Sequence, residues 1–201
     1  MPPTVAALFV SPSGPYPSLP DVDCWDELRD ARRYPGALPV VAHPPCARWS
    51  RLAESVQARL PHLRVGDDGG CFAAALNAVR SFGGVLEHPS ETKAWAAFGL
   101  TRPIHTGWQP SRDGWVCEVW QSVYGHLATK RTWLYYHGNT LPVDLLWDRV
   151  EGTHVVGGDS RKRRAAINPK PRLTSVQNIH TPILFAEALI SLARSARPAN
   201  L

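Results

Sequence analysis

The chain has 201 residues, of which 44% are hydrophobic and 19% charged, a balance typical of a globular protein with a sizeable core. Its 22 lysine and arginine residues outnumber its 17 aspartate and glutamate residues, and the net charge of +5 permits an anionic partner without requiring one. No apolar run reaches the roughly 20 residues that span a bilayer, no signal peptide opens the chain, and the four cysteines lack zinc-site spacing. We therefore expect one soluble, cytoplasmic domain over residues 1–201, with no metal and no membrane.

The first half of the chain predicts strands that alternate with helices. Residues 4–10 form an apolar run that predicts a buried strand, and a Pro- and Gly-rich loop follows it. The composition of residues 23–33 predicts a short helix, and residues 38–43 predict the next strand. A further helix is expected to run through residue 82 from an aspartate cap at residue 67 or 68, with a strand at 85–88 directly after it.

The second half predicts a hairpin, a loop and a last helix. Residues 115–121 and 132–137 are rich in aromatic and β-branched residues, and the short turn between them is typical of paired strands. Residues 155–172 predict a basic loop, and Thr181 is expected to cap a helix over residues 182–196. The whole pattern predicts an α/β fold with a single Rossmann-like, mainly parallel sheet flanked by helices.

Two chemically capable side chains follow predicted strands. Cys46 comes after an apolar run and two prolines, and Glu87 comes near the end of the next strand. Because ligands of such sheets bind at the carboxyl ends of the strands, we expect the thiol and the carboxylate to share one rim with Lys130 and Arg131. Taken alone, Cys46 equally suits a small buried residue and Glu87 a surface helix cap. Their joint placement favours chemistry.

A thiolate and a carboxyl group suit an attack on a pyrimidine ring. Arg48 and Arg51 lie close to Cys46 in sequence, and such cations lower the pKa of a thiol and populate the nucleophilic thiolate. Thiolate addition at ring carbon 6 makes carbon 5 and its substituent reactive, while a carboxyl group bonded to ring nitrogen 3 stabilises the developing charge. Glu87 fills the second role, and to hold a ring proton it is expected to have a raised pKa.

Three short motifs resemble, in order and separation, the fourth, sixth and eighth motifs of the DNA cytosine-5 methyltransferases. Their residues here are Pro44-Pro45-Cys46, Glu87-His88-Pro89, and Tyr124-Gly125 followed by Lys130-Arg131. Weaker similarities to the ninth and tenth motifs lie at residues 172–174 and 178–182, so the resemblance covers most of the chain from residue 40 onward. It implies a shortened catalytic domain of this kind, in which Cys46 attacks carbon 6, Glu87 binds the ring edge and Lys130 replaces a family arginine.

The chain departs from that family where the methyl donor binds. Residues 11–15, Ser-Pro-Ser-Gly-Pro, replace the glycine-rich turn that holds S-adenosylmethionine, and their prolines lack amide donors. The segment between the first strand and Cys46 is too short for the family's usual cofactor half. Other motif positions also differ, namely Ala47, His88, Ala128 and Thr132. We therefore expect no cofactor.

A base-activating site without a methyl-donor half is similar to the small phage amino acid:DNA transferases of thymidine hypermodification, with residues 83–89 and 130–135 as the closest stretches. This resemblance implies a transferase that attaches an amino acid, most plausibly glycine, to 5-phosphomethyl-deoxyuridine in DNA with loss of phosphate. Such a protein would act in a host cytoplasm and protect phage DNA from restriction. Two alternatives stay open: an S-adenosylmethionine-dependent DNA cytosine-5 methyltransferase and a non-catalytic DNA-binding relative.

Charged side chains near the motifs are candidates to serve this chemistry. Arg48, Lys130 and Arg131 are expected to bind the leaving phosphate and the amino acid carboxylate, with a solvated basic surface as the alternative. His43 or His88 is a candidate to take a proton from the attacking ammonium, although packing or capping suits either histidine as well.

The expected DNA substrate assigns roles to aromatic and basic residues elsewhere. The target base must leave the duplex stack, and Trp49, Trp108 or Trp133 could support it there, with core packing as the alternative for Trp133. Phosphate contacts are expected from a basic run and two later cations, or else these form an exposed loop. Those residues are Arg161, Lys162, Arg163 and Arg164, with Lys170 and Arg172.

Overall fold

The structure, a computed structural model, describes residues 2–104, 106–156 and 170–196. Its strands in chain order are β1 (Val5–Leu8), β2 (Val22–Trp25), β3 (Val40–Ala42), β4 (Gly84–Pro89), β5 (Gln109–Ser111), β6 (Gly114–Trp120) and β7 (Arg131–His137). They form one sheet with the order β2-β1-β3-β4-β7-β6-β5. The described helices are α1 (Ala53–Arg59), α2 (Cys71–Phe82), α3 (Lys93–Ala97), α4 (Ser175–Ile179) and α5 (Ile183–Ser195).

The two halves of the sheet differ in strand direction. Strand β1 pairs in parallel with β2 and β3, and β3 pairs in parallel with β4. From β4 onward every pairing is antiparallel, because the β6–β7 hairpin attaches to β4 through β7 and then continues to β5. The predicted α/β fold with one sheet flanked by helices is confirmed, but the prediction of a mainly parallel sheet is wrong beyond β4.

Helices α2 and α5 cover opposite faces of the sheet. Successive residues of a strand point to opposite faces, and the two sets of strand side chains enter separate hydrophobic clusters. On the α5 side, Phe185 and Leu189 lie in one cluster with Val85 of β4. On the α2 side, Phe72 lies in the other cluster with Leu86. The central strands are therefore buried on both faces.

Local chemistry sets the ends of α2. The cap position of α2 is Gly70 rather than the predicted aspartate, but the Asp68 carboxylate still satisfies donors at the helix start, because it accepts the backbone N–H groups of Gly70 at 3.0 Å and Phe72 at 2.8 Å. The helix ends at Gly83, and Gly84 begins β4 at once with a positive φ of 128°. A side chain at Gly84 would collide with the carbonyl oxygen of Val40, so only glycine allows β3 and β4 to pair this closely.

Residues 23–33 do not form the predicted helix. The segment begins inside the edge strand β2 and ends in a short 3-10 turn, Ala31–Arg33. The Asp23 carboxylate accepts the indole N–H of Trp25 at 2.8 Å and a guanidinium N–H of Arg29 at 2.6 Å. These local bonds, together with pairing to β1, favour an extended backbone over the helix that composition alone indicates.

The hairpin and the last helix follow their predictions more closely. A 3-10 turn, Gln121–Tyr124, follows β6 in the connection to β7. The cap position of α5 is Pro182 rather than the predicted Thr181. Strand β5 and the short helices α1, α3 and α4 have no counterpart in the predictions. Within the described ranges, no helix combines the length and the apolar character that crossing a bilayer requires.

Candidate active site

Three strands bring the predicted chemical groups to one edge of the sheet. Cys46 lies in the loop after β3, and Glu87 lies in β4 near its carboxyl end. Because β7 runs antiparallel to β4, with Thr132 opposite Pro89, Lys130 precedes β7 at this same edge. The three groups therefore lie at one edge of the sheet, and the charges of Glu87 and Lys130 both affect the pKa of the Cys46 thiol.

The Glu87 carboxylate is buried among hydrogen-bond donors. Its side chain is exposed by only 11%, and its Oε2 atom lies 2.9 Å from Nδ1 of His43. Its Oε1 atom accepts from Nε2 of Gln121 at 3.2 Å, and the same amide nitrogen donates to the Thr132 hydroxyl at 2.9 Å. The Tyr16 hydroxyl lies 2.6 Å from Nε2 of His43. A continuous hydrogen-bonded chain therefore joins β7 to the loop after β1.

The pKa of Glu87 is opposite in direction to the sequence prediction. Burial raises it, but the hydrogen bond and charge of His43 and the charge of Lys130 lower it further, to about 2. Glu87 is thus ionised near neutral pH and can only accept hydrogen bonds, which makes Nδ1 of His43 the donor. Burial, with the charge of Glu87, raises the pKa of Tyr16, so its hydroxyl keeps its proton near neutral pH.

Tyr16 and Gln121 have no role in the sequence predictions. Each directly follows or ends a predicted feature: Tyr16 comes after the loop at 11–15, and Gln121 is the last residue of the predicted strand at 115–121. Gln121 is 1% exposed, and a buried amide at a strand end is the signal that could have identified it. His43, by contrast, is a predicted candidate, and the structure brings it to Glu87.

The Cys46 thiol is partly buried and its pKa is raised. Burial is the main cause, the Glu87 charge adds to it, and Lys130 opposes both. The predicted lowering by Arg48 and Arg51 is wrong, because neither contributes. Arg51 instead lies 3.8 Å from the Glu91 carboxylate. The thiol is therefore mostly protonated at neutral pH and needs Lys130, or a bound substrate, to favour the thiolate.

Trp49 holds the turn that carries Cys46. Its backbone N–H donates to the Cys46 carbonyl at 3.0 Å, and its own carbonyl accepts from the backbone of Lys93 at 2.8 Å. Its indole N–H donates to Asp68 at 2.8 Å, and its ring packs against Phe72. Trp49 is thus buried in the core instead of facing a ligand, and it fixes the cysteine loop onto α2 and α3.

His88 lies on the opposite face of β4 from Glu87, because neighbouring residues of a strand point to opposite sides. Its side chain is 1% exposed, its Nδ1 atom lies 2.7 Å from the Thr92 hydroxyl, and its ring contacts Phe72 and Trp95. Burial lowers its pKa to about 4, against the opposing charge of Glu87. The structure therefore places the predicted catalytic residue His88 on the opposite face of the sheet from Glu87, packed among aromatic rings.

Arg131 also points away from Glu87. Its guanidinium pairs with Glu118 at 2.9 Å and with Glu91 at 3.6 Å, on the face that carries Trp133. Trp133 is buried and donates its indole N–H to Glu118, whereas Trp108 is partly exposed and donates to the Val143 carbonyl. Of the predicted phosphate-binding cations, only Lys130 thus affects the pKa values of Glu87 and Cys46.

The predicted DNA-contacting run, Arg161, Lys162, Arg163 and Arg164, lies outside the described residues. Lys170 is described, and its ammonium pairs with Glu151 at 2.8 Å and donates to the Gly152 carbonyl at 2.7 Å. Arg172 forms a β-bridge with Val155. In the part of the chain that the structure covers, no group of three or more His, Cys, Asp or Glu residues could hold a metal ion.

No protein-family model matches this chain, and no curated protein or solved structure is similar enough to match it either.

Proposed function

We propose that this protein is a transferase that modifies a pyrimidine base in DNA at its 5-position, with Cys46 as nucleophile. The supporting observation is that the strand order brings a partly buried thiol, a buried and ionised carboxylate and an ammonium to one edge of the sheet. A carboxylate held by donors from His43 and Gln121 has a fixed position, which a group that grips one edge of a ring requires.

The ionised state of Glu87 favours a uracil-type ring over cytosine. Ring nitrogen 3 of uracil and thymine carries a hydrogen, whereas the same nitrogen of cytosine does not. An ionised carboxylate can only accept a hydrogen bond, so it matches nitrogen 3 of uracil or thymine. At nitrogen 3 of cytosine, two acceptors would face each other. This supports 5-phosphomethyl-deoxyuridine as substrate and weighs against cytosine-5 methylation.

The proposed reaction has four steps. The Cys46 sulfur forms a bond to ring carbon 6, and the electrons of the carbon 5–carbon 6 double bond move toward the carbon 4 oxygen. Those electrons return to expel phosphate from the 5-methylene group, which leaves an exocyclic alkene. The free amine of glycine adds to that alkene carbon, and the ring then expels the Cys46 thiolate and regains its double bond. Overall, one proton passes from the glycine ammonium to the departing phosphate.

The residues at the edge divide this work. Glu87 holds nitrogen 3, and Lys130 stabilises the thiolate and the negative charge of the leaving phosphate. His43, bonded between Tyr16 and Glu87, orients the carboxylate. A small amino acid, glycine in the first instance, is the proposed co-substrate, and protection of phage DNA from host restriction is the proposed role.

Nucleoside mass spectrometry tests the proposal. The protein is incubated with glycine and DNA that contains 5-phosphomethyl-deoxyuridine, and we expect a product in which glycine has replaced phosphate. Cys46→Ala should abolish this product, while Cys71→Ala, which removes another partly buried thiol, should not. A methylated cytosine formed with S-adenosylmethionine would instead establish the methyltransferase alternative. DNA binding without any new nucleoside would establish a non-catalytic relative.

A further inference from the structure

A pocket lies at the same end of the sheet as Glu87, on the opposite face. It has a volume of about 430 Å³ and is lined by the ends of β6 and β7 and the loop before β5. Its main lining side chains are Arg102, Glu118, Trp120, Arg131 and Trp133. The volume falls in the range of small-ligand sites.

The pocket combines flat aromatic rings with cations. Trp120 is partly exposed, and the Arg102 guanidinium lies 5.7 Å from the ring centre of Trp133. The one carboxylate in the lining, Glu118, is already neutralised, since it pairs with Arg131 and accepts the Trp133 indole N–H at 2.8 Å. Among the described residues, no carboxylate pairs with Arg102. The pocket is therefore lined by two indole rings and by a guanidinium that no carboxylate of the described residues neutralises.

The position of the pocket ties it to the candidate active site. Trp120 and Arg131 are paired in the ladder between β6 and β7. The next residue after Trp120 is Gln121, which donates to Glu87, and the residue before Arg131 is Lys130. Alternating residues at the end of one hairpin thus serve the Glu87 site on one face and this pocket on the other.

We propose that this pocket binds a nucleotide of the DNA strand that neighbours the base held at Glu87. An indole face stacks any base, and arginine binds the phosphate beside it, which is the combination that single-stranded nucleic acid selects. This inference rests on the proposed function only in that it takes DNA as the ligand. It requires neither catalysis nor the modified base.

Fluorescence anisotropy with a labelled single-stranded deoxyoligonucleotide of ordinary bases tests the subsite. The experiment uses Cys46→Ala protein, so that no reaction intervenes. Adding Trp120→Ala should weaken binding by about 5- to 100-fold, the range of one lost base–aromatic stack. Arg102→Ala, which changes an exposed side chain, should weaken binding and reduce its salt dependence. Trp25→Ala, which removes another partly exposed indole at the far edge of the sheet, should leave binding unchanged.

A matched oligonucleotide series separates stacking from a general loss of structure. Replacing one base at a time by an abasic nucleotide should reveal a position whose loss weakens binding to Cys46→Ala protein but not to the Trp120→Ala variant. Equal affinities of the two proteins for the intact strand, or equal effects of Trp25→Ala and Trp120→Ala, would overturn the proposal. Product formation by the wild-type protein is measured separately, so the subsite can fail while the proposed function stands, and the reverse.

Discussion

Glu87 and His88 are neighbours in β4, yet the two faces of the sheet give them opposite characters. Glu87 lies among the polar groups of His43 and Gln121 and stays charged, because donors surround it. His88 lies among aromatic rings, including Phe72, and stays neutral near pH 7, because burial disfavours its charged form. A single strand thus supplies a reactive group on one side and a packed support on the other.

Hydrogen bonds link the aromatic face around His88 to the backbone of Cys46. The His88 ring is hydrogen-bonded to the Thr92 hydroxyl at 2.7 Å, and that hydroxyl donates to the Trp49 carbonyl at 3.4 Å. The Trp49 backbone in turn donates to the Cys46 carbonyl. The aromatic face therefore positions the cysteine loop without contacting a substrate, whereas the polar face provides the groups that would.

Single substitutions of Glu87 and of His88 should differ most clearly in their effects on product formation and on stability. Glu87→Gln should lower single-turnover product formation by about 100- to 1,000-fold, the cost of losing one preorganised electrostatic contact. Its melting temperature should fall at neutral pH, because the amide lacks the charge that His43 and Lys130 stabilise, so product formation is assayed at a temperature where the variant remains folded. A decrease of less than about tenfold would contradict the assignment of Glu87 to the ring edge.

His88→Ala should show the reverse, with destabilisation of about 2–4 kcal/mol from the cavity and the lost hydrogen bond to the Thr92 hydroxyl. Urea unfolding measures this difference, and product formation should be assayed at a low temperature where the variant remains folded. A loss of activity as large as that of Glu87→Gln under those conditions would place His88 in the chemistry after all.

Acid unfolding should separate the two faces by pH. The pKa of His88 falls from its ordinary value of 6.5 to about 4, so the unfolded chain binds its proton first and stability is lost as the pH falls through that window. The pKa of Glu87 falls from 4.5 to about 2, so its contribution is lost at still lower pH. Each contribution is about 3 kcal/mol.

Urea titrations at successive pH values measure this dependence. His88→Asn should remove the loss of stability between about pH 6.5 and 4, and Glu87→Gln should remove the loss between about pH 4.5 and 2. If either variant kept the complete wild-type pH profile, the corresponding residue would not be the group that titrates.

The link between the faces predicts a smaller effect at Trp49. Trp49→Phe keeps an aromatic ring, although a smaller one, and removes the N–H that donates to Asp68, so it should cost about 1–2 kcal/mol in urea unfolding. Because this residue fixes the Cys46 turn, hydrogen exchange at residues 46–49 should also become faster. Trp25→Phe removes a similar 2.8 Å bond to Asp23 on the far edge of the sheet and should leave that exchange unchanged.

The sequence predicts which residues reach the reactive edge better than which way they point. The buried strand runs place Cys46 after β3 and Glu87 at the end of β4, and the structure has both there. The strand around Glu87 is apolar on both faces, however, so no alternation of polar and apolar residues distinguishes Glu87 from His88. No pattern in the sequence therefore shows that the His88 side chain lies on the opposite face from Glu87.

Electrostatics were the least predictable part of the site. Sequence proximity made Arg48 and Arg51 the expected partners of Cys46, but the fold brings Glu87 and Lys130 there from distant positions. The direction of the Glu87 shift depends on His43, whose contact joins residues 44 positions apart. Such long-range contacts follow from sheet order, and strand order was not available from local patterns.

The reactivity of Cys46 gives the smallest and most local test of the polar face. Because the Glu87 charge raises the pKa of the thiol and Lys130 lowers it, Glu87→Gln should speed iodoacetamide alkylation at pH 8, and Lys130→Met should slow it, each by about two- to fivefold. Peptide mass spectrometry reports Cys46 and Cys71 in one sample. Cys71, whose pKa is raised by burial and Asp68, should keep its rate in both variants. Equal changes at the two cysteines would indicate general loosening of the fold. Slower alkylation of Cys46 in Glu87→Gln, or faster alkylation in Lys130→Met, would show that Glu87 and Lys130 do not set the charge around its sulfur.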